Sequence, residues 1–265
     1  MCASGKVALK TPVNKVSKTD RMMKTVTRER NMCGRFGLFA ELDALAEQFN
    51  FDPSIMQDIY QPRWNIPPTV PVLTVHQSSA EQTDSGNTAS LLRWGMKGVQ
   101  GKNQTRASRP LFNARGETVH RLPSFRRAFR ERRCLVPADG FYEWIRDESG
   151  NRTPVWFHRE DGAPIAFAGI WSSESTSDGN IDSCAIITCD ANELVSGVHH
   201  RMPVILPPES YEHWLSPGED PADLRAIIQP REWQDMSYYQ VSSEVNRASN
   251  DYPSLLERAG QTGLW

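Results

Sequence analysis

The chain has 265 residues, of which 38% are hydrophobic and 23% are charged, and its formal net charge is -2. This length suits one large domain with its own core, or at most two small ones. The near-neutral charge excludes a globally basic nucleic-acid-binding protein, so any such surface must come from local clustering.

The cysteines and the apolar segments indicate the compartment. Five cysteines stand at scattered spacings without a CxxC pair, which favours a reducing compartment over a disulfide scaffold or a zinc site. No run approaches the roughly 18 apolar residues of a membrane helix, and residues 1–31 lack the apolar centre of a secretory signal. We expect an intracellular protein, cytoplasmic or nucleoid-associated, or nuclear if eukaryotic, with no membrane partner.

The first 31 residues carry eight Lys or Arg residues against Asp20 and Glu29, with few large apolar residues. Such a composition predicts a disordered basic extension. It is a solvated tail or lies upstream of a later start such as Met32; a transit peptide or a DNA-tracking arm are the alternatives. The expected organisation is an extension over 1–31, one domain over 32–258 and a tail over 259–265.

Beyond Met32, apolar periodicity predicts a helix over about 39–50, followed by short apolar segments typical of strands. The predicted strands are Val70–Val75, Leu91–Met96, Cys134–Val136, Phe141–Ile145, Val155–His158, Ile165–Trp171, Cys184–Thr188 and Val204–Leu206. Further helices are predicted at Ser124–Arg132, Pro208–Leu215 and Pro221–Ile228, and loops at Gln77–Ser90 and Ser172–Asp182. Without a βαβ rhythm, this order predicts an α+β fold with a mainly antiparallel curved sheet or barrel and short flanking helices.

Cys33 lies in the segment Met-Cys-Gly-Arg-Phe. If it becomes the N-terminal residue, it carries an α-amine, with a reference pKa of about 7.7–8.0, beside a thiol. This pair can form a Schiff base with an aldehyde and close a thiazolidine ring, which an internal cysteine cannot do. The alternative is a buried cysteine that only packs.

A second segment, Asn-Ala-Arg-Gly-Glu-Thr, offers an amide at Asn113 for a neutral polar atom and a guanidinium at Arg115 for a phosphate. Ten basic residues stand near it against Glu117 and Glu131: Lys102, Arg106, Arg109, Arg115, Arg121, Arg126, Arg127, Arg130, Arg132 and Arg133. They predict a groove for a nucleic-acid backbone, or a solvated helix face over 126–133.

Glu143 stands in the apolar segment Ala-Asp-Gly-Phe-Tyr-Glu-Trp, where a carboxyl group tends to have a raised pKa that suits acid–base catalysis. Alternation along a strand sends Tyr142 and Trp144 to the opposite face. The alternative is a solvent-facing Glu143.

His199 and His200 precede the last predicted strand, and a histidine can transfer a proton near neutral pH. On an extended segment, only one of them should face the site. No further Cys or His follows at ligand spacing, so we expect no metal and no cofactor.

These segments, in this order, resemble the SRAP family, the SOS-response-associated peptidase or abasic-site processing proteins. The resemblance runs from Cys33 to Pro253-Ser254-Leu255 and includes Ala-Asp-Gly-Phe-Tyr-Glu-Trp and His-x-Arg-Met-Pro. It implies a β-rich α+β domain that binds single-stranded DNA and forms a thiazolidine link to an abasic site. Such a covalent, lyase-like activity would protect the lesion in the DNA damage (SOS) response. We expect a monomer, because nothing in the sequence demands a larger assembly.

The resemblance also implies residue roles. Cys33 would be the nucleophile, Asn113 would position the sugar or the cysteine amine, Glu143 would promote ring opening and crosslink turnover, and His199 would assist proton transfer. The implied phosphate contacts are Arg35 and Arg115. Trp94 and Arg201 complete the set of residues that we expect to bind DNA. Asn65 and Pro67 would shape the site.

The chain departs from the family pattern at three places: 32 residues precede Cys33, Met96–Gln100 replaces an expected apolar Pro-x-Trp wedge, and His200 replaces an Asp. Two other functions remain open at this level. One is a thiol autopeptidase, a hydrolase in which Cys33 and His199 remove the leader. The other is a noncovalent single-strand binding module that uses the basic cluster and exposed aromatics such as Trp64 or Trp94.

Overall fold

The computed structural model describes residues 34–77, 86–98, 109–177 and 179–260, which form two β-sheets with short helices between the strands. The strands are β1 (Phe36–Leu38), β2 (Arg63–Ile66), β3 (Pro71–Gln77), β4 (Asn87–Trp94), β5 (Asn113–Arg115), β6 (Arg133–Ala138), β7 (Gly140–Arg146), β8 (Arg152–Arg159), β9 (Ile165–Thr176), β10 (Gly179–Asp190), β11 (Arg201–Pro203), β12 (Ile205–Leu206) and β13 (Met236–Gln240). The α-helices are α1 (Leu42–Phe49), α2 (Gly116–Val119), α3 (Arg126–Glu131), α4 (Glu193–Ser196), α5 (Tyr211–Leu215) and α6 (Pro221–Ile227).

Five strands of the larger sheet close into a barrel. The ring runs β10-β4-β3-β6-β9 and returns to β10, because β9 and β10 also pair with each other as a hairpin. Most pairings are antiparallel, while β10 runs parallel to β4 and β5. Closure leaves no free sheet edge within the ring. The predicted α+β fold with a mainly antiparallel, barrel-like core is confirmed.

The smaller sheet has the order β13-β8-β7-β1-β2 and packs one face on the barrel. The ring of Phe36 in β1 lies 5.2 Å from that of Trp94 in β4 and 5.8 Å from that of Phe167 in β9. The opposite face carries Tyr142 and Trp156, which pack with residues of the C-terminal segment. Side-chain alternation along β7 therefore separates two hydrophobic clusters.

Sequence periodicity located most core strands but misread one long hairpin. The predicted loop Ser172–Asp182 is wrong: β9 and β10 stay paired until Thr176 faces Gly179. Its Ser, Thr and Asn side chains give no apolar alternation, so only backbone pairing marks it as strand. Of the predicted loop Gln77–Ser90, residues 87–90 belong to β4, and 78–85 lie outside the described residues.

The four predicted helices have shorter α-helical bounds in the structure, and the short helices α2 and α4 were not predicted. The first ends at Phe49 because Asn50 adopts a left-handed conformation, with φ 54. Among the described residues, no helix is both long and apolar enough to cross a membrane.

The turn between β6 and β7 fixes the strand that carries Glu143. Asp139 accepts hydrogen bonds from the backbone nitrogens of Phe39, at 2.5 Å, and Ala40, at 2.9 Å. Burial raises the pKa of Asp139, and these two hydrogen bonds oppose that rise. The carboxyl group thus ties the segment after β1 to the start of β7.

Gly140 at this turn leaves no room for a side chain, and Gly140→Ala is expected to destabilise the fold by about 3 kcal/mol or more. A Cβ there would collide with the carbonyl oxygen of Phe157 and lie 2.5 Å from Cζ2 of Trp156. Gly197→Ala is the matched control, because nothing lies within 4 Å of its Cβ position. Chemical denaturation would measure both, and an unchanged free energy of unfolding for Gly140→Ala would contradict this packing.

Candidate active site

The site is built around the start of β1, where Gly34 and Arg35 lead into the strand. The carbonyl oxygen of Arg35 accepts a hydrogen bond of 3.0 Å from the backbone nitrogen of Tyr142, and Phe36 faces Phe141. The pairing therefore brings the chain just ahead of β1 beside the part of β7 that carries Glu143. Cys33 itself lies outside the described residues.

Glu143, in β7 of the smaller sheet, meets His199, which lies just before β11 of the larger sheet. Glu143 is 4% exposed, and its Oε1 atom lies 3.9 Å from Nδ1 of His199. Tyr142 and Trp144 belong to the cluster on the other face, as alternation predicts. The reading of Glu143 as a solvent-facing residue is therefore wrong. A buried carboxylate beside an imidazole is an arrangement suited to proton transfer.

The main chain of Arg201 holds the His199 ring. Nδ1 of His199 lies 2.9 Å from the carbonyl oxygen of Arg201 and 3.1 Å from its backbone nitrogen. A protonated Nδ1 donates to the oxygen, whereas an unprotonated Nδ1 accepts from the N–H, so one ring position serves one contact at a time. The ring can therefore keep its place in both protonation states.

The two adjacent histidines do not point to opposite sides, as they would on an extended segment. The rings of His199 and His200 lie 4.5 Å apart at an angle of 36°. The reason is local: residues 199 and 200 follow a turn and precede β11 instead of lying in a strand. Burial and the neighbouring charges of His199, Arg201 and Arg115 lower the pKa of His200.

Arg201 is a structural cation, which corrects its assignment as a DNA contact. The residue is 5% exposed, and its guanidinium pairs with both carboxylate oxygens of Glu117 and, at 2.6 Å, with Oδ1 of Asp190. It also donates to the carbonyl oxygen of Thr188 at 2.7 Å. Partial burial raises the pKa of Glu117, but the hydrogen bonds and charge of Arg201 outweigh this and lower it.

These contacts predict that Glu117 positions His199 through Arg201, and that Glu117→Gln slows the reaction of the site. A ring displaced by about 1 Å can cost about 100-fold in rate. The pH profile of the rate is a second readout, because a purely structural role of Glu117 would leave it unchanged. Single-turnover rates across pH would show this. Glu131→Gln, which breaks only an exposed pair with Arg127, is the control; equal rates and profiles for the two variants would remove Glu117 from this role.

Arg35 and Asn65 connect the site to the C-terminal segment. Arg35 donates to Oδ1 of Asn65 at 2.6 Å and to the carbonyl oxygen of Val245 at 2.8 Å. The amide nitrogen of Asn65 donates to the carbonyl oxygens of Val245, Arg247 and Asn250. Burial lowers the pKa of Arg35, which nevertheless stays charged. Asn65 thus connects the start of β1 to the C-terminal segment, and half-buried Pro67 lies two residues after it.

Trp94 does not offer a surface to DNA, which corrects that prediction. It is 1% exposed, and its indole nitrogen donates to the carbonyl oxygen of Phe112 at 2.8 Å. Its strand lies in the barrel, so alternation turns the ring into the core. Trp64 is only partly buried and stacks on Phe39 at 6.0 Å. Trp144 is also partly buried, and its indole nitrogen donates to Asn246 at 2.7 Å.

Asn113 and Arg115 lie at the two ends of β5, which runs parallel to β10. Asn113 faces Ile186 and is half-buried, whereas Arg115 faces Thr188 and is exposed. Thr188 also faces Pro203 in β11. The strand β10 thus links the motif of Asn113 to the segment that carries His199.

The predicted basic cluster divides in the structure. Arg133 is 4% exposed and donates to the carbonyl oxygens of Trp214, Phe129, Arg130 and Ser216, so it is not part of a solvated face or groove. Arg126, Arg127 and Arg130 are exposed on α3, while Arg109, Arg115 and Arg121 are exposed elsewhere. Lys102 and Arg106 lie outside the described residues.

Sequence reasoning missed Glu117, Asp190 and Asp139 as members of the site's framework. Glu117 and Asp139 stand inside the motifs that contain Asn113 and Glu143, so their place in the sequence drew attention to the right segments. Their partners, however, are distant in sequence: Glu117 and Arg201 are 84 residues apart. Only the fold identifies these pairs.

Comparison with known proteins gives consistent matches. A family model described as SOS response associated peptidase (SRAP) matches residues 32–248. The chain is 40% identical over 228 residues to the abasic site processing protein YoqW of Bacillus subtilis, covering 85% of this chain and 99% of that protein. It is 30% identical over 229 residues to the abasic site processing protein HMCES of Gallus gallus, covering 74% of this chain and 66% of that one.

A solved structure shares the fold. The crystal structure of a protein from Bacteroides thetaiotaomicron matches with a TM-score of 0.73 and 24% identity, covering 86% of this chain and 100% of that one.

Proposed function

The chain belongs to the SOS response associated peptidase (SRAP) family, and from this premise we propose that it captures abasic sites in single-stranded DNA through Cys33. Relatives that share most of its length are named abasic site processing proteins. The observation that carries the proposal is the contact of 3.9 Å between Glu143 and His199 beside the start of β1. Gly34, the residue that follows Cys33 in the sequence, leads into this strand.

The reaction joins the open-ring aldehyde to the aminothiol of Cys33. The α-amine attacks the aldehyde carbon and releases one water as a Schiff base forms. The thiolate then adds to the imine carbon, and the imine nitrogen takes up a proton, which closes a five-membered thiazolidine. Addition of water reverses both steps and returns the aldehyde.

The site residues serve the proton transfers of this sequence. Glu143 removes a proton from the sugar hydroxyl as the ring opens and returns one as the crosslink reverses. His199 relays a proton, and the main chain of Arg201 holds its ring in either protonation state. Asn113 positions the sugar or the cysteine amine, and exposed Arg115 contacts a phosphate. Arg35 offers a second phosphate contact at the start of β1.

The mechanism requires Cys33 to be the N-terminal residue. Initiation at Met32 with removal of that methionine would achieve this, and so would cleavage after Met32. The family match begins at Met32, which supports either route. In the second route Cys33 and His199 would act first as a thiol autopeptidase on the leader.

A denaturing gel tests the function. The purified chain is incubated with a single-stranded oligonucleotide carrying one abasic site, with a duplex of the same sequence as comparison. We expect a product that survives denaturation and forms faster with the single strand. A complex that dissociates on the gel and weakens steeply with salt would instead indicate noncovalent binding.

A further inference from the structure

The surface beside the site carries positive charge from two parts of the chain that are distant in sequence. Arg115 and Arg121 flank α2, and Arg225 lies on α6; all three side chains are exposed. Within the described ranges, none of the three forms an ion pair with a carboxylate. Three exposed guanidinium groups that no described carboxylate neutralises can bind an external anion.

Packing between the two helices brings these residues to one surface. A Cβ on Gly116 would lie 3.4 Å from Cδ1 of Ile228, so the start of α2 contacts the end of α6. Arg225 stands three residues before Ile228 and shares that side of the helix. Its charge reaches α2, because burial together with the charges of Arg225 and Arg121 lowers the pKa of His120.

The nearby acidic groups cancel only part of this charge. Glu117 and Asp190 share the single guanidinium of Arg201, so these three groups together leave one negative charge against the three exposed arginines. Asp223 lies two residues before Arg225, about 200° around the helix, and so faces away from it. At the other end, the charge of Arg115 reaches His200, next to His199. A band of positive charge therefore runs from the site across α2 to α6.

We propose that Arg115, Arg121 and Arg225 form a track for the phosphate backbone of the DNA strand that flanks the captured nucleotide. This inference rests on the proposed function and specifies which surface the strand follows. Arg115 and Arg121 stand six positions apart, which corresponds to about 9 Å at helical rise, so the track extends beyond the captured nucleotide. In this proposal the flanking DNA strand binds along α2 and α6 and does not contact the arginines of α3.

The test uses charge reversal and oligonucleotide length. Arg121→Glu with Arg225→Glu is compared with Arg126→Glu with Arg130→Glu, which makes the same charge change on exposed positions of α3. Affinity is measured for a 5-mer and for 15-mers extended on the 5′ or the 3′ side. Each contains a tetrahydrofuran abasic analogue, which lacks the aldehyde, so that binding is separated from covalent capture.

The α2–α6 variant should bind one of the two 15-mers about tenfold more weakly and the 5-mer as well as the unmodified chain does. The slope of the logarithm of its binding constant against the logarithm of salt concentration should fall in magnitude by about 1.4, because each of the two lost phosphate contacts contributes about 0.7. The α3 variant should behave like the unmodified chain. Loss in the α3 variant, equal loss for all oligonucleotides or no loss would overturn the track. Crosslinking of a 5-mer with a true abasic site tests the proposed function separately. If the unmodified chain fails to crosslink this 5-mer, the proposed function is wrong, whatever the two variants show about the track.

Discussion

Cys33→Ala is expected to abolish the covalent product formed with abasic single-stranded DNA. The variant keeps an α-amine but lacks the thiol that closes the thiazolidine, so only a reversible Schiff base can form. A denaturing gel would show the loss, and borohydride should still trap the Schiff base if the substituted residue occupies the N-terminus.

Cys2→Ala is the matched control for this experiment. Cys2 also follows a methionine but precedes Ala-Ser-Gly instead of Gly-Arg-Phe. Its removal should leave the product unchanged. If Cys33→Ala still formed a stable product and Cys2→Ala did not, the nucleophile would be Cys2. That result would contradict the proposed mechanism.

Glu143→Gln is expected to lower the rate of crosslink formation and of its reversal by about 100-fold or more, within the range of general acid–base catalysis. The amide keeps the volume of a residue that is 4% exposed but cannot accept and return a proton. Single-turnover kinetics on denaturing gels, together with release of the oligonucleotide from preformed product, would measure both directions.

Glu148→Gln provides the comparison for this variant, because it removes a carboxylate from an exposed position just beyond the same strand. Its rates should match those of the unmodified chain. Rates for Glu143→Gln within about threefold of that chain, with an unchanged melting temperature, would exclude Glu143 from the proton transfers.

The strands that build the site were predictable because their apolar residues alternate or run continuously. Period-two alternation placed Tyr142 and Trp144 opposite Glu143, and the structure confirms it. The same reasoning did not predict that Trp94 is buried. Its segment also contains Arg and Gly, but a strand of a closed barrel can still bury one of its residues. Local sequence shows which residues share a face but not what covers that face.

Long-range electrostatic partners were beyond sequence reasoning. The sequence around Arg201 gives no sign of a carboxylate partner. In the structure, β10 and α2 bring Asp190 and Glu117 into contact with its guanidinium. Arg225 drew no attention because α6 is far from the basic cluster in sequence. Both depend on which elements the fold makes neighbours, and burial then decides whether a charged group is paired inside or open to a ligand.

Peptide mass spectrometry of the crosslinked product tests the central claim most directly. The chain is purified, reacted with abasic single-stranded DNA, digested with a nuclease and a protease, and its modified peptide is sequenced. The account predicts a peptide that begins at Cys33 and carries the sugar remnant on the N-terminal residue, with the loss of one water. A modified peptide that retains Met32 ahead of Cys33, or an adduct on another residue, would contradict it.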